Sequence, residues 1–218
     1  MIAALYGLLG LATGALTLWL TRRRGQSERN GRAAMHAALL GLLLPTLGLL
    51  LMALAPADNS HTVTQMQQML GQAARHMSLP LLGLAALQLA REQFWQPVAW
   101  GRLVIGLMLG FEVARRLDWQ EGWLWMISLA GLAAFGAAAL LRIRDKRIAG
   151  CWLLSSLGLL LPMIGGAAPM AAMLEPSLTA SALLPLFAGA TLAVGLLANP
   201  AHNDATLTES TKQRAARQ

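Results

Sequence analysis

Apolar residues fall into seven long runs separated by short polar segments. The runs cover residues 2–20, 34–55, 66–90, 97–117, 122–141, 148–168 and 179–198. Each is near the roughly 20 residues that an α-helix needs to cross about 30 Å of hydrocarbon. The pattern predicts an all-α, polytopic membrane helix bundle with seven transmembrane helices, in which residues 1–200 form a single domain.

The basic residues between these runs predict the orientation of the bundle. Segment 21–32 holds five Arg, 91–102 holds two, 142–147 holds four Lys or Arg, and the tail after 200 holds three, whereas 56–65 and 169–178 hold none. Seven spans place every basic segment on one side, as the positive-inside rule requires. The prediction is an N-out, C-in multi-pass protein of the cell inner membrane, with 201–218 as a polar basic cytoplasmic tail.

Composition agrees with a lipid environment. Hydrophobic residues make up 56% of the 218 residues and charged residues 12%, against about 25% charged in an average soluble domain. The net charge of +7 is divided among short clusters rather than spread along one face, which argues against nucleic acid as a partner. The expected partners are the lipid bilayer and, in addition, other membrane subunits or further copies of the chain.

Four prolines fall inside predicted spans. Pro45, Pro80, Pro162 and Pro185 lie in the second, third, sixth and seventh spans. Proline removes a backbone hydrogen bond and tends to kink its helix, so these four positions are candidate hinges. The alternative is that neighbouring helices satisfy the freed carbonyls and that the prolines are merely tolerated.

A short internal repeat accompanies the prolines. The sequence GLLLP at 41–45 recurs at 158–162, and LPL occurs at both 79–81 and 184–186. Spans one to three therefore match spans five to seven in a possible parallel 3+1+3 arrangement, although Leu and Gly are common enough for chance matches. The arrangement is similar in architecture to the SWEET sugar transporters, in which two repeats rock about a central site; no sequence motif of that family carries the similarity.

Ionisable groups inside spans are costly in a bilayer and mark candidate functional sites. Arg75 and His76 lie in the third span and Glu112 in the fourth, and all three are expected in the outer leaflet. Together they predict a polar cavity open to the outside, in which His76 takes up a proton. The alternative is that Glu112 pairs within its own helix with Arg115 and Arg116, while Arg75 extends toward the headgroups.

The segment before Pro80 has a second pattern. Met66, Met69, Ala73 and Met77 recur at helical spacing, which predicts an amphipathic helix. Either its apolar face packs on the bundle and its polar face turns to the cavity, or the helix lies at the outer interface before it enters the membrane at Pro80. Soft thioether and imidazole donors also suit Cu(I). The low-weight copper candidates are Met66, Met69, His76, Met170 and Met173.

No catalytic motif is present in the sequence, so an enzyme is the less favoured interpretation. The four His do not occupy matching depths, which argues against a bis-histidine haem site, and no cofactor is identified. Two functions lead: a small transporter or carrier with an outer-facing polar cavity, and a non-catalytic subunit or assembly factor of a larger membrane complex. Few polar residues lie near the bilayer centre, which weakens the first.

Overall fold

The structure is a computed structural model that describes residues 2–24, 31–54, 61–91, 95–142, 146–164 and 183–197. These residues form seven α-helices and no strands. The helices are α1 (Ile2–Arg24), α2 (Arg32–Leu54), α3 (His61–Arg91), α4 (Pro97–Arg116), α5 (Gln120–Leu141), α6 (Lys146–Ile164) and α7 (Leu183–Leu197). The predicted all-helical fold is confirmed, and each apolar run corresponds to one helix.

Four of the described helices are long and apolar enough to cross a membrane: α1, α2, α4 and α5. The described part of α7 is apolar but has only 15 residues, about 22 Å of helix. Helix α3 has 31 residues, and its N-terminal half carries glutamines, Arg75 and His76. Four of the described helices could therefore span a membrane, and the count of seven spans stays a prediction.

Consecutive helices pack antiparallel at the beginning of the chain. Gly7, Gly10 and Gly14 of α1 face Ala53, Leu50 and Thr46 of α2, so one helix descends as the other rises. Helices α2 and α3 are related in the same way, because Gly41 faces Ser78 and Leu82 while Gln67 donates a hydrogen bond to the Leu51 carbonyl. Helix α7 likewise runs along α6, with Gly189 against Cys151 and Ser155.

The core lies between α1, α2, α3, α5 and α7. Its fully buried residues include Leu42, Leu82, Phe135 and Phe187, and small residues along α3, such as Ala85 and Ala86, let neighbouring helices approach closely. The contact between α3 and α5 depends on two glycines. A Cβ at Gly83 would lie 2.6 Å from the Gly131 carbonyl oxygen, which is too close for any other residue at Gly83 without a shift.

The antiparallel arrangement collects arginines at one end of the bundle, which we call the basic end. It comprises Arg22, Arg32, Arg91, Arg102, Arg142 and Arg147. Each lies at or near the helix terminus that faces this end. The opposite end includes the turn from α4 to α5, where Glu112, Arg115, Arg116, Asp118 and Glu121 mix both signs of charge.

Helix α4 is the least embedded of the four candidate spans, with 11% of its most apolar window buried. Trp100 inserts into the main core, and Leu107 joins a small cluster with Leu124 and Ile127 of α5. Residues 117–119 join α4 to α5 in a tight turn, in which Asp118 has φ of 52°. Aspartate adopts this left-handed conformation more readily than most residues.

The repeat predicts equivalent packing in its two halves, and the structure shows this for only part of the pattern. Helix α2 packs along α3, and α6 packs along α7. However, α1 packs extensively on α2, whereas α5 touches α6 only lightly. The repeat is not confirmed by the packing of the described helices.

The candidate hinges occupy different settings. Pro45 and Pro80 lie inside α2 and α3 and are buried, so neighbouring helices surround both. Pro185 is the third described residue of α7, and Pro162 lies two residues before the end of α6. Their hinge role stays a prediction. The predicted tail, 201–218, lies outside the described residues.

Candidate functional site

A cavity of about 900 Å³ separates α3 from α4 at the end of the bundle opposite the basic end. Its depth follows α3 from Gln68 to Met77 and α4 from Leu107 to Arg115, about 12–14 Å along each helix. Gln120, the first residue of α5, closes one side. The light packing of α4 on its neighbours leaves this volume open.

His76 forms the deepest polar group of the cavity wall. It is the middle residue of α3, with fifteen residues of the helix on either side, and its side chain is 5% exposed. Its Nε2 lies 3.1 Å from the Gln72 Oε1, and its ring lies 4.3 Å from the Phe111 ring, centroid to centroid, at 37°. Histidine is therefore held in one orientation by a polar and an aromatic neighbour.

The second ring nitrogen of His76, Nδ1, could form a further hydrogen bond. Nδ1 is buried and has no hydrogen-bond partner among the described residues. In the neutral tautomer that donates from Nε2 to Gln72, Nδ1 is an acceptor. A buried polar atom that lacks a partner is costly, so this nitrogen favours a bound group that carries an N–H or O–H.

Glu112 lines the same cavity but does not pair with Arg75 or His76 in the structure. Its carboxylate accepts two hydrogen bonds from Arg115, each 2.9 Å long, and one of 3.1 Å from Arg116 Nε. These are the i,i+3 and i,i+4 pairs that the sequence also allowed. Sequence reasoning placed Arg75 in the cavity as well, but Arg75 is half-buried and is not one of the residues that line it.

The polar and apolar sides of α3 do not divide as the sequence predicted. Met66 and Met69 are 55% and 74% exposed rather than packed on the bundle. Met69, Ala73 and Met77 line the cavity beside Gln68 and Gln72, so the wall is mixed. The reason is that α3 turns its small residues, beginning with Ala74 and Ser78, toward the other core helices.

Helix α4 supplies cavity residues that the sequence did not single out. Phe111, Met108 and Leu107 lie one, four and five positions before Glu112 and share its face of α4. The only sequence signal for them is this helical spacing. In the sequence of a membrane helix, apolar residues that line a cavity cannot be distinguished from those that contact lipid.

The charges of the wall nearly cancel. Glu112 and Arg115 both line the cavity and bind each other, while the remaining polar groups are glutamines and His76. Such a wall suits a small solute that is neutral or zwitterionic and has both apolar and hydrogen-bonding parts. A strongly charged ligand would find no uncompensated countercharge among the lining residues.

The copper candidates are only partly described. Met69 and His76 line the cavity together, Met66 lies on the exposed surface of α3, and Met170 and Met173 lie outside the described residues. No group of three or more His, Cys, Asp or Glu that could hold a metal occurs within the described helices. The copper site stays a prediction.

Comparison with known proteins gives no relative. The chain matches no protein-family model, no curated protein and no solved structure.

Proposed function

We propose that this protein crosses the cell inner membrane seven times, with its N-terminus outside and its C-terminus in the cytoplasm, and acts as a small transporter or carrier. The α3–α4 cavity is its outward-facing solute site. The observation that carries the proposal is the buried His76, which lines a cavity of about 900 Å³ and has a ring nitrogen without a hydrogen-bond partner among the described residues. A small neutral or zwitterionic solute would bind there.

The distribution of charge supports the orientation. Six arginines lie at the basic end, and the positive-inside rule assigns such an end to the cytoplasm. The α4–α5 turn then faces outside, and the cavity opens toward that side. His76 lies about 22 Å along α3 from Arg91, in the half of the bundle opposite the basic end, so a solute would reach it from outside.

A carrier must also open a path from the cavity to the basic end. In the structure this path is closed below Met77, where Gly83 meets Gly131 and Gly41 meets Ser78. Of the four proline-containing spans, only α3 lines this cavity, so the cavity is not a central site between two rocking repeats. A transport cycle would have to separate α3 from α5 at the glycine contact.

Thiol labelling from each side of the membrane tests this cycle. In a Cys151→Ser background, Ala73→Cys places a thiol in the cavity wall, and Leu84→Cys places one on the same face of α3 two turns below Met77. In oriented proteoliposomes, an impermeant maleimide added outside labels Ala73→Cys. If the protein is a carrier, the same reagent added on the basic side labels Leu84→Cys in a fraction of the molecules.

Leu11→Cys is the control, because Leu11 is 66% exposed on α1 and would face lipid rather than water. It stays unlabelled from both sides. Failure of Ala73→Cys to react from outside would rule out an outward-facing solute cavity. Labelling of Ala73→Cys with none of Leu84→Cys from either side would keep the cavity but reject the carrier.

The alternative function, a non-catalytic subunit or assembly factor, is favoured by the outer side of α4. Val98, Ile105, Leu109 and Val113 recur along one face and are each more than half exposed. The face runs the length of α4 beside the cavity-lining face, and its Ile105 also borders a second cavity near the start of α4. In a complex, a partner helix would cover this face; in a solitary carrier, lipid would.

Purification in mild detergent separates these two functions. A subunit keeps a partner at fixed stoichiometry, and Leu109→Trp on the exposed face of α4 releases it, whereas Leu18→Trp on exposed α1 does not. A monodisperse monomer that shows the two-sided labelling pattern would exclude the subunit.

A further inference from the structure

A second, smaller cavity lies at the basic end, behind the N-terminal half of α4. It has a volume of about 430 Å³ and is formed by α2, α4 and Leu81 of α3. Its wall is mainly apolar and includes Ala37, Leu40, Val104 and Ile105. Leu40 and Ile105 are 37% and 59% exposed, so the groove opens sideways to the surroundings of the bundle. We call it the basic-end groove.

Trp100 gives the groove an unused hydrogen-bond donor. The indole lines the groove and is 6% exposed, packed in part against Trp95 with the ring centroids 5.6 Å apart. Its Nε1 is buried and has no hydrogen-bond partner among the described residues. A buried indole N–H usually finds an acceptor, and the described residues supply none to Trp100.

Arginines flank the mouth of the groove. Arg32 precedes His36 by one helical turn, so it lies on the face of α2 that lines the groove, displaced toward the basic end. Arg102 lies three positions before Ile105 on α4, beside the exposed edge of the groove, and both arginines are exposed. Arg32 to Leu40 spans about 12 Å of helix, less than half of a hydrocarbon core of about 30 Å. The groove therefore extends from headgroup level into the upper acyl region.

We propose that the basic-end groove binds one anionic phospholipid from the leaflet at that end. The upper part of an acyl chain lies along Ala37, Leu81 and Val104. The Trp100 Nε1–H donates to an ester or phosphate oxygen, and Arg32 and Arg102 neutralise the headgroup. A neutral lipid would satisfy the apolar wall but not the arginines. This inference requires insertion of α2 and α4 in a bilayer but not the solute cavity.

A glycine on α4 allows a direct test. Gly101 lines the groove, and a Cβ there would meet nothing within 4 Å, so Gly101→Leu fills the groove without a clash at its first carbon. Gly106 on the same helix also has nothing within 4 Å and is not part of the groove, so Gly106→Leu is the matched control.

The measurement is native mass spectrometry of delipidated protein incubated with phosphatidylglycerol or phosphatidylcholine. The wild type and Gly106→Leu retain one phosphatidylglycerol in preference to phosphatidylcholine, and Gly101→Leu retains none. Trp100→Phe, which keeps the ring but removes the donor, lowers retention. Arg32→Gln and Arg102→Gln each weaken phosphatidylglycerol binding about fivefold, since a basic residue near an anionic lipid contributes about 1 kcal/mol.

Arg22→Gln should leave phosphatidylglycerol binding unchanged, because Arg22 lies at the basic end on α1, away from the groove. Three results would overturn the proposal: equal retention of the two lipids by the wild type, unchanged retention by Gly101→Leu, or equal losses in Arg22→Gln and Arg32→Gln. Failure of the thiol-labelling experiment on Ala73→Cys would not bear on it.

Discussion

Gly83 and Gly131 illustrate how single residues determine helix packing in this bundle. An added Cβ at Gly131 would lie 2.9 Å from Leu79 Cγ and 3.1 Å from the Leu79 carbonyl carbon and oxygen. In a bilayer, helices gain little from burying apolar surface against each other, so close packing at small residues carries much of the association. The contact between α3 and α5 therefore depends on the absence of two side chains.

We expect Gly131→Ala to destabilise the bundle by about 1–3 kcal/mol, as extra atoms in a packed core commonly do. Gly136→Ala on the same helix is the control, because a Cβ there meets nothing within 4 Å. The measurement is the free energy of unfolding of the two variants in mixed micelles. Equal stability of the two variants would contradict the close α3–α5 contact.

Ser155 acts between helices rather than within one. Its Oγ donates a 3.2 Å hydrogen bond to the Leu186 carbonyl, which joins α6 to α7, whereas Thr191 donates to Phe187 one turn earlier in its own helix. We expect Ser155→Ala to lose about 0.6 kcal/mol, typical of interhelical hydrogen bonds in membranes. Thr21→Ser on exposed α1, which keeps its intrahelical hydrogen bond to the Thr17 carbonyl, should unfold with the wild type; a larger loss for Thr21→Ser would argue against the interhelical bond.

Among the helices, α4 differs most from its neighbours. One side of α4 lines both the α3–α4 cavity and the basic-end groove, while the adjacent side is exposed. Only Trp100, Leu107 and Ala114 of its twenty residues are buried. Because few packed atoms hold α4 in place, it should move more than α2 or α5.

Distances between spin labels can measure this mobility in the Cys151→Ser background. Labels at Leu43→Cys and Ile105→Cys report α2 to α4, and labels at Leu43→Cys and Leu129→Cys report α2 to α5, all from exposed positions. We expect a broader distribution for the pair that includes α4. Distributions of equal width would show that α4 is as firmly held as α5.

The elements were predictable because the length of an apolar run is a local property. Runs such as 34–55 and 122–141 closely match α2 and α5. The sides of the helices were less predictable, since lipid-facing and packed positions are both apolar. Met66 and Met69 were expected on a packed face and are exposed, and nothing in the sequence identified Phe111 as the neighbour of His76. Glu112 is different, because its partners Arg115 and Arg116 follow within about one helical turn, so the sequence already offered this pairing as an alternative.

For the whole molecule, the clearest feature is the difference in charge between its two ends. Arg147 at the start of α6 lies at the basic end, and Gln120 at the start of α5 lies at the other; both are exposed. In the Cys151→Ser background and intact cells, an impermeant maleimide should label Gln120→Cys but reach Arg147→Cys only after permeabilisation. Labelling of both in intact cells would contradict the seven-span topology, as would protection of both.

The three-residue turn at 117–119 has a consequence for how the bundle is made. Because the connection is so short, α4 and α5 form one helical hairpin, which α5 anchors by packing Gly131 against Leu79 of α3. Helix α4 has few buried residues of its own, so its position depends on its connection to α5. Both cavities have α4 as one wall, so neither is enclosed until this hairpin has docked.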